Sequence, residues 1–262
     1  EHPTTRFTES HAWEGFMPPE KDWRAPPDEA GDAALKYSDI AIGYVSRNSR
    51  YRADYRRALD RVKRGALTPD EATAGLVQRW GISFHATPTS AFDRKLTVAR
   101  PDLSPDSIVL APSLDGTGAA RLDTSMLGEV RARIKIGDFL FLILADSEGD
   151  EHIWVSGALD QPMAMMLPIG TDPFARLAAA ERLSRRLLGM AAGPPALRPP
   201  PFRRRHLLTL LQVLDGLQAG ATRRELAAAL IDDEVRSFNA AEWTERRGRK
   251  RIGRWIAEAV EL

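Results

Sequence analysis

The stretch "RARIKIGDFLFLILADSEGDEHIWVSG", residues 131–157, decides the fold class of this chain. Ile134 and Ile136 alternate with Arg133 and Lys135, the period of a strand with one face turned inward. From Phe139 the chain is apolar for seven residues, "FLFLILA", which has the length of a buried strand and not of a helix. The acidic run "DSEGDE" at 146–151 then supplies a turn, and "HIWVSG" resumes the pattern. A β-hairpin closed by a solvated turn is the economical reading, and it puts a sheet into a chain whose other long patterns are helical.

Upstream, "SIVLAP" at 107–112 reads as a further strand, and Pro88, Pro101, Pro105 and Pro112 separate short runs by loops. Before these, "TPDEATAGLVQRWG" predicts a helix with Thr68 as N-cap, Pro69 at the first helical position, acids in the first turn and Gly81 at its end. In residues 37–65, Ile40, Tyr44, Val45, Tyr51, Tyr55, Leu59 and Val62 recur at three- and four-residue steps, broken near Asn48 and Ser49, so a short helix, a turn and a second helix are expected. Residues 1–20 are polar and aperiodic, a loose arm whose Trp13 and Phe16 are free to dock. Downstream, "DPFARLAAAERLSRRLLGM" at 172–190 is an amphipathic helix with Phe174, Leu177, Leu183 and Leu187 expected near one stripe. The Pro-rich "GPPALRPPP" at 193–201 is an elbow or linker.

Three helices are expected after it. The first, from about 202 to 216, sets Leu207, Leu210, Leu211 and Leu214 on one stripe. In the second, Thr222 and Glu225 have capping-box spacing just before Leu226 and Leu230. The third runs from about Ala241 to the end. At about 100° per residue, Ile252, Trp255, Ile256, Ala259 and Val260 fall on one side of it, and Arg246, Arg247, Lys250, Arg251 and Arg254 on the other.

That stripe is unusual in a chain of formal charge +1: "ERRGRKRIGRW" at 245–255 holds six cations and one anion. Arg246 with Lys250, Lys250 with Arg254, and Arg247 with Arg251 are like-charge pairs at i, i+4, each unfavourable by a few tenths of a kcal/mol, and an external polyanion relieves them. Guanidinium forks match phosphate oxygens and the O6/N7 edge of guanine. The order of Leu-rich helix, tight turn, short capped helix and basic helix matches a tri-helical helix-turn-helix plan. On it, Trp243, Thr244, Arg246 and Arg247 lie nearest the bases, and Arg223 and Arg224 meet phosphates. The connection "DDEVRSFNA" is longer than in the tightest motif. A solvated basic face is the plain alternative.

Other chemistry finds little support. With no cysteine there is no disulfide framework, thiolate zinc site or Cys nucleophile, and no apolar run reaches the roughly 18 residues of a membrane span. No basic-then-apolar leader opens the chain, so a cytoplasmic setting is expected; Glu1 and the helical pattern at Leu262 suggest trimmed ends. His2, His11, His85, His152 and His206 are scattered away from metal-ligand spacing. "DGTG" at 115–118 is too short for a phosphate cradle, and "DDE" at 232–234 is contiguous where two-metal sites need separated carboxylates. The reading expects no enzyme, no cofactor and no metal.

Several of these segments also resemble known families. "MAMMLPIG", "ARLAAAERLSRRLLG", the Pro-rich elbow and "RRRHLLTLLQVLDGLQAGATRRELAAALI" resemble the RovC-type transcription regulator DNA-binding domain of type VI secretion, formerly DUF2285. "DWR" at 22–24, "RNSRYRADY" at 47–55 and "RWGISF" at 79–84 resemble the transcriptional-regulator-like domain DUF6499, although "DIAIGYVS" stands where that pattern is more aromatic and acidic. The resemblance implies a bacterial DNA-binding regulator. Its relatives include activators of excision and transfer genes on integrative and conjugative elements, and small antiactivators that bind such activators.

The combined expectation is an α+β, mostly helical chain: an arm at 1–20, a helical transcriptional-regulator-like domain at 21–115, a β-hairpin plus helix at 116–192, the elbow at 193–201 and a helix-turn-helix-like DNA-binding unit at 202–262. Expected partners are double-stranded DNA, RNA polymerase or a related regulator, and a second copy of the chain, with no membrane and a nucleoid-associated location. DNA contacts are assigned to Arg223, Arg224, Trp243, Thr244, Arg246, Arg247, Lys250, Arg251 and Arg254. The rival functions are a protein-binding antiactivator and a non-specific nucleic-acid accessory factor.

Overall fold

The computed structural model describes residues 22–25, 32–84, 97–170, 172–239, 242–243 and 247–262. The arm with Trp13 and Phe16, and also His2, His11, His85, Thr244, Glu245 and Arg246, lie outside them. The fold is α+β and mostly helical. The described residues fall into two compact units, one holding Arg50–Leu197, the other holding those between 22 and 49 together with Arg198–Leu262.

The first unit is built on a sheet. Helix α1 (Tyr37–Arg47) belongs to the second unit, and α2 (Ser49–Lys63) and α3 (Pro69–Trp80) open the first. The capped helix is as expected: the Thr68 hydroxyl accepts from the Glu71 amide, the Glu71 carboxylate accepts from Thr68, and Gly81 adopts φ 74° after the last turn. Strands β1 (Ile82–Phe84) and β2 (Thr97–Ala99) form an antiparallel pair. A mixed sheet follows, made of β3 (Ile108–Pro112), β4 (Val130–Ile136), β5 (Phe139–Leu144), β6 (Glu151–Ser156) and β7 (Met163–Met166) in the order β4-β5-β6-β3-β7. The hairpin read from the sequence is β5–β6 at the centre of this sheet, and β4 precedes it through the two-residue turn Gly137–Asp138. Gly137 has φ 59° there, at the first central position where a type II′ turn needs glycine.

The seven-residue apolar run has a simple cause: this sheet is covered on both faces, so β5 has no polar side. Leu142 and Leu144, with Ile153, Val155, Ile108 and Leu110, pack against Ala179 and Leu183 of α4 (Pro173–Leu187). Phe141 and Ile143, with Ile134, Ile136 and Trp154, pack on the other face against Val77 of α3 and Val98.

Two expectations about this unit need correction. Phe174 and Leu177 are 83% and 50% exposed, not part of the buried stripe of α4. The buried arc is Ala175, Ala179 and Leu183 with Arg176 and Arg182, and Phe174 and Leu177 sit roughly 150° round from its centre. The acidic turn is solvated only at its tip: Ser147 and Glu148 are exposed, whereas Asp150 and Glu151 are buried. The cause is ionic. Arg186 of α4 reaches Glu151 (Nε–Oε2 3.0 Å) and Asp146 (2.9 Å) and donates to the carbonyls of Ala145 and Leu127. Arg182 adds a 3.2 Å pair with Glu151. Small alanines let α4 lie close to the sheet, and this network fixes it there.

Candidate nucleic-acid interface

The second unit places the basic helix. Its first helix, α5 (Pro201–Gln218), buries Leu207, Leu208, Leu210, Leu211 and Val213. Helix α6 (Arg223–Leu230) starts at the expected capping box, with the Thr222 hydroxyl accepting from the Glu225 amide (3.2 Å) and the Glu225 carboxylate accepting from the Thr222 amide (2.7 Å). Those bonds to Thr222 hold the Glu225 carboxyl below its ordinary value. Gly216 permits the close crossing of α5 and α6, since a Cβ there would lie 2.5 Å from a Leu226 methyl and 3.1 Å from the Trp23 ring.

Trp23 and α1 join this core although they lie some two hundred residues earlier in sequence. Trp23 is buried with Leu210, Val213, Leu226, Val235 and Ile252. The Gln212 amide donates to the carbonyls of Trp23 and Ala25. Arg47 of α1 forms a two-pronged pair with Asp215 of α5, both at 2.6 Å, and the Tyr44 hydroxyl donates to the Leu207 carbonyl. Burial pushes the Tyr44 phenol up to about 12. Residues 22–47 carry no local sequence signal of this, because the partners are not neighbours in the chain.

The third helix, α7 (Arg247–Glu261), buries Ile252 and Ala259, and half-buried Trp255 and Ile256 pack on the same core. Val260 was expected on that face but is 69% exposed; at about 100° per residue it lies a quarter-turn or so off the Ile252–Ala259 line. Arg247, Lys250, Arg251 and Arg254 are all exposed and occupy an arc of about 100° opposite the core. Among the described residues none of these four pairs with a carboxylate, and Arg251 lies over the Trp255 ring at 4.6 Å. The acid of this helix that does engage faces elsewhere: Glu258 accepts from His206 of α5 at 2.9 Å and meets Arg203 at 3.7 Å.

The remaining assigned residues divide. Arg223 is exposed at the start of α6. Arg224 is turned inward, donating to the carbonyls of Val235 (3.1 Å), Arg236 (3.0 Å) and Phe238. It thereby fixes the long α6–α7 connection, which also carries a 3-10 turn at Asp233–Arg236 capped by the Asp232 side chain. The ring of Trp243 is half-buried and packs on the core. Just before it, Asn239 and Glu242 exchange side-chain bonds with each other's amides (2.8 and 2.9 Å), a further reciprocal cap. The spacing of Asn239 and Glu242 could have revealed it. Thr244 and Arg246 lie outside the described residues.

No group of three or more His, Asp or Glu side chains suited to a metal ion occurs among the described residues, and no described helix is long and apolar enough to cross a membrane. Residues 166–262 match the family described as T6SS, transcription factor, DNA binding domain, and residues 22–85 match the proteobacterial transcriptional regulator-like domain. Each match draws on both compact units. No curated protein and no solved structure matches the chain. The chain thus carries a segment that matches a transcriptional regulator-like domain ahead of one that matches a transcription-factor DNA-binding domain.

Proposed function

We propose that this transcriptional regulator binds duplex DNA in a sequence-specific manner and activates mobile-element transfer and excision genes or secretion genes. The observation that carries the DNA-reading step is the exposed arc of Arg247, Lys250, Arg251 and Arg254 on α7, with no carboxylate partner among the described residues. In this reading, phosphates hold the arc and Arg223, and the first turn of α7 enters the major groove with Arg247 toward the bases, Thr244 and Arg246 preceding it in the sequence. Arg224 and Trp243 act one step back, by positioning the connection and the start of the third helix. A dimer on palindromic half-sites and a contact to RNA polymerase complete the scheme, in the cytoplasm at the nucleoid.

The test is fluorescence anisotropy of the full chain on its own upstream duplex and on a shuffled duplex across a salt series. The variant to compare is Arg247→Gln/Arg254→Gln, which spares the Arg251–Trp255 contact. Specific regulators outbind random sequence by about a thousandfold or more at physiological salt. Such a preference, lost in the variant, supports the reading. Absence of duplex binding sinks it and favours a protein-binding antiactivator.

A further inference from the structure

We infer that the outer face of α2 is a second duplex-contacting surface, which grips phosphates without reading sequence; the inference rests on the DNA-binding reading above. Helix α2 over 49–63 holds six Lys/Arg and two Asp/Glu, with Arg64 directly after it, whereas α7 over 247–261 holds five and two. Among the described helices, the most cationic is therefore not the one assigned to DNA.

Packing fixes which way α2 faces. Tyr51, Tyr55 and Leu59 are buried, and Trp80 of α3 meets the Tyr51 ring edge-on at 5.6 Å. At about 100° per residue, Arg50, Arg57, Arg61 and Arg64 fall within about 60° of one another on the opposite side, along about 21 Å of helix. Arg56 and Lys63 flank them, and Arg56, Arg57, Arg61, Lys63 and Arg64 are all exposed. The two acids neutralise only part of this face, since Asp54 takes Arg57 alone of its row. Asp54 is buried and occupied: it accepts from the Trp80 indole at 2.9 Å, pairs with Arg79 at 3.0 Å and is bonded by Arg57. Those bonds from Arg57 and Trp80 hold its carboxyl below the ordinary range. Asp60 alone is left among five exposed cations.

The chemistry of the face selects its partner. No large apolar side chain is exposed along α2, so the surface lacks the aromatic or aliphatic anchor on which protein interfaces depend. A membrane surface needs an apolar face to insert, and here that face is buried in the unit. A row of guanidinium groups along a straight helix does match a row of phosphates, which ask for charge and hydrogen-bond donors only. A tether raises the effective concentration of a second weak site. The chain crosses between the units next to α2, with only Asn48 separating α1 from it. Once α7 holds a duplex, the cations of α2 meet phosphates as a tethered event.

The test compares the full chain with Arg56→Gln/Arg61→Gln/Lys63→Gln/Arg64→Gln, all exposed positions, on upstream and random duplexes over a salt series. The milder Arg61→Gln/Lys63→Gln serves if the fourfold variant melts early. The inference predicts a log–log salt slope smaller by about two to three, and an affinity at ~100 mM salt lowered about 10- to 100-fold on both duplexes, with their ratio unchanged. An unchanged slope and affinity overturns the second surface and leaves the α7 reading standing. A wild-type chain that binds no duplex overturns both.

Discussion

Arginine does opposite work on α4 and on α7. On α4, Arg182 is buried and Arg186 half-buried, and their guanidinium groups meet Asp146, Glu151 and backbone carbonyls of the sheet. On α7, Arg247, Lys250 and Arg254 face outward with no described carboxylate in reach. Both helices look like basic amphipathic segments in the sequence, so the density of Arg does not distinguish an internal strut from a ligand surface. The distinction lies in which acids the fold brings to the same place. Arg224 repeats the lesson within the candidate interface, since a residue placed at the phosphates by its position in the motif is committed to carbonyls at 3.1 and 3.0 Å.

The largest expected effect breaks the strut. Removing one member of a buried ionic network leaves the others unpaired, so Arg186→Ala should destabilise the Arg50–Leu197 unit by about 3–5 kcal/mol. Thermal unfolding of that variant should begin well below wild type; an unchanged melting temperature would contradict the account of α4. Next comes the joint between distant segments of the second unit. Truncating a large buried aromatic costs about 3–5 kcal/mol, so Trp23→Ala should expose amides of α5 and α6 to hydrogen exchange. Retained protection there would mean that Trp23 is not part of that core.

Much of the fold was legible because its signals are local. Thr68 with Glu71 and Thr222 with Glu225 announce helix starts three residues apart, and Gly81 announces an end. The apolar run from Phe139 identified an interior strand, since a strand covered on both faces has no polar side. What stayed hidden depends on residues far apart in the chain. Nothing near Trp23 predicts a seat beside Leu226, and nothing near Asp150 predicts its burial beside Arg131. The stripe on α4 misled because Phe174 and Leu177 are apolar by identity, whereas two arginines and three small or branched residues form its inner arc. Within the candidate interface, the α7 cations were readable from rotation alone. The inward turn of Arg224 was not, because its acceptors are carbonyls, which carry no sequence signature.

Smaller effects sharpen the same contrast. Arg224→Ala leaves three carbonyls of the α6–α7 connection without their donor and should lower stability by about 1–3 kcal/mol. It should also weaken discrimination between upstream and shuffled duplexes more than it weakens random-duplex binding; a uniform loss on both would assign Arg224 to phosphate instead. The smallest effect is on pH. The folded Glu225 carboxyl is held low, so its contribution is present above the ordinary carboxylate value and is lost as pH falls through the folded value. Glu225→Gln should therefore flatten the acid limb of the melting profile slightly, and an identical acid limb would remove the capping box from that profile.

The most direct measurement pairs stability with binding in Arg247→Gln/Lys250→Gln. If the arc exists for an external polyanion, removing two mutually repelling cations leaves the melting temperature unchanged or slightly raised, while preference for the upstream duplex disappears. A lower melting temperature with that preference intact would show that these residues, like Arg182 and Arg186, serve the fold and not a ligand.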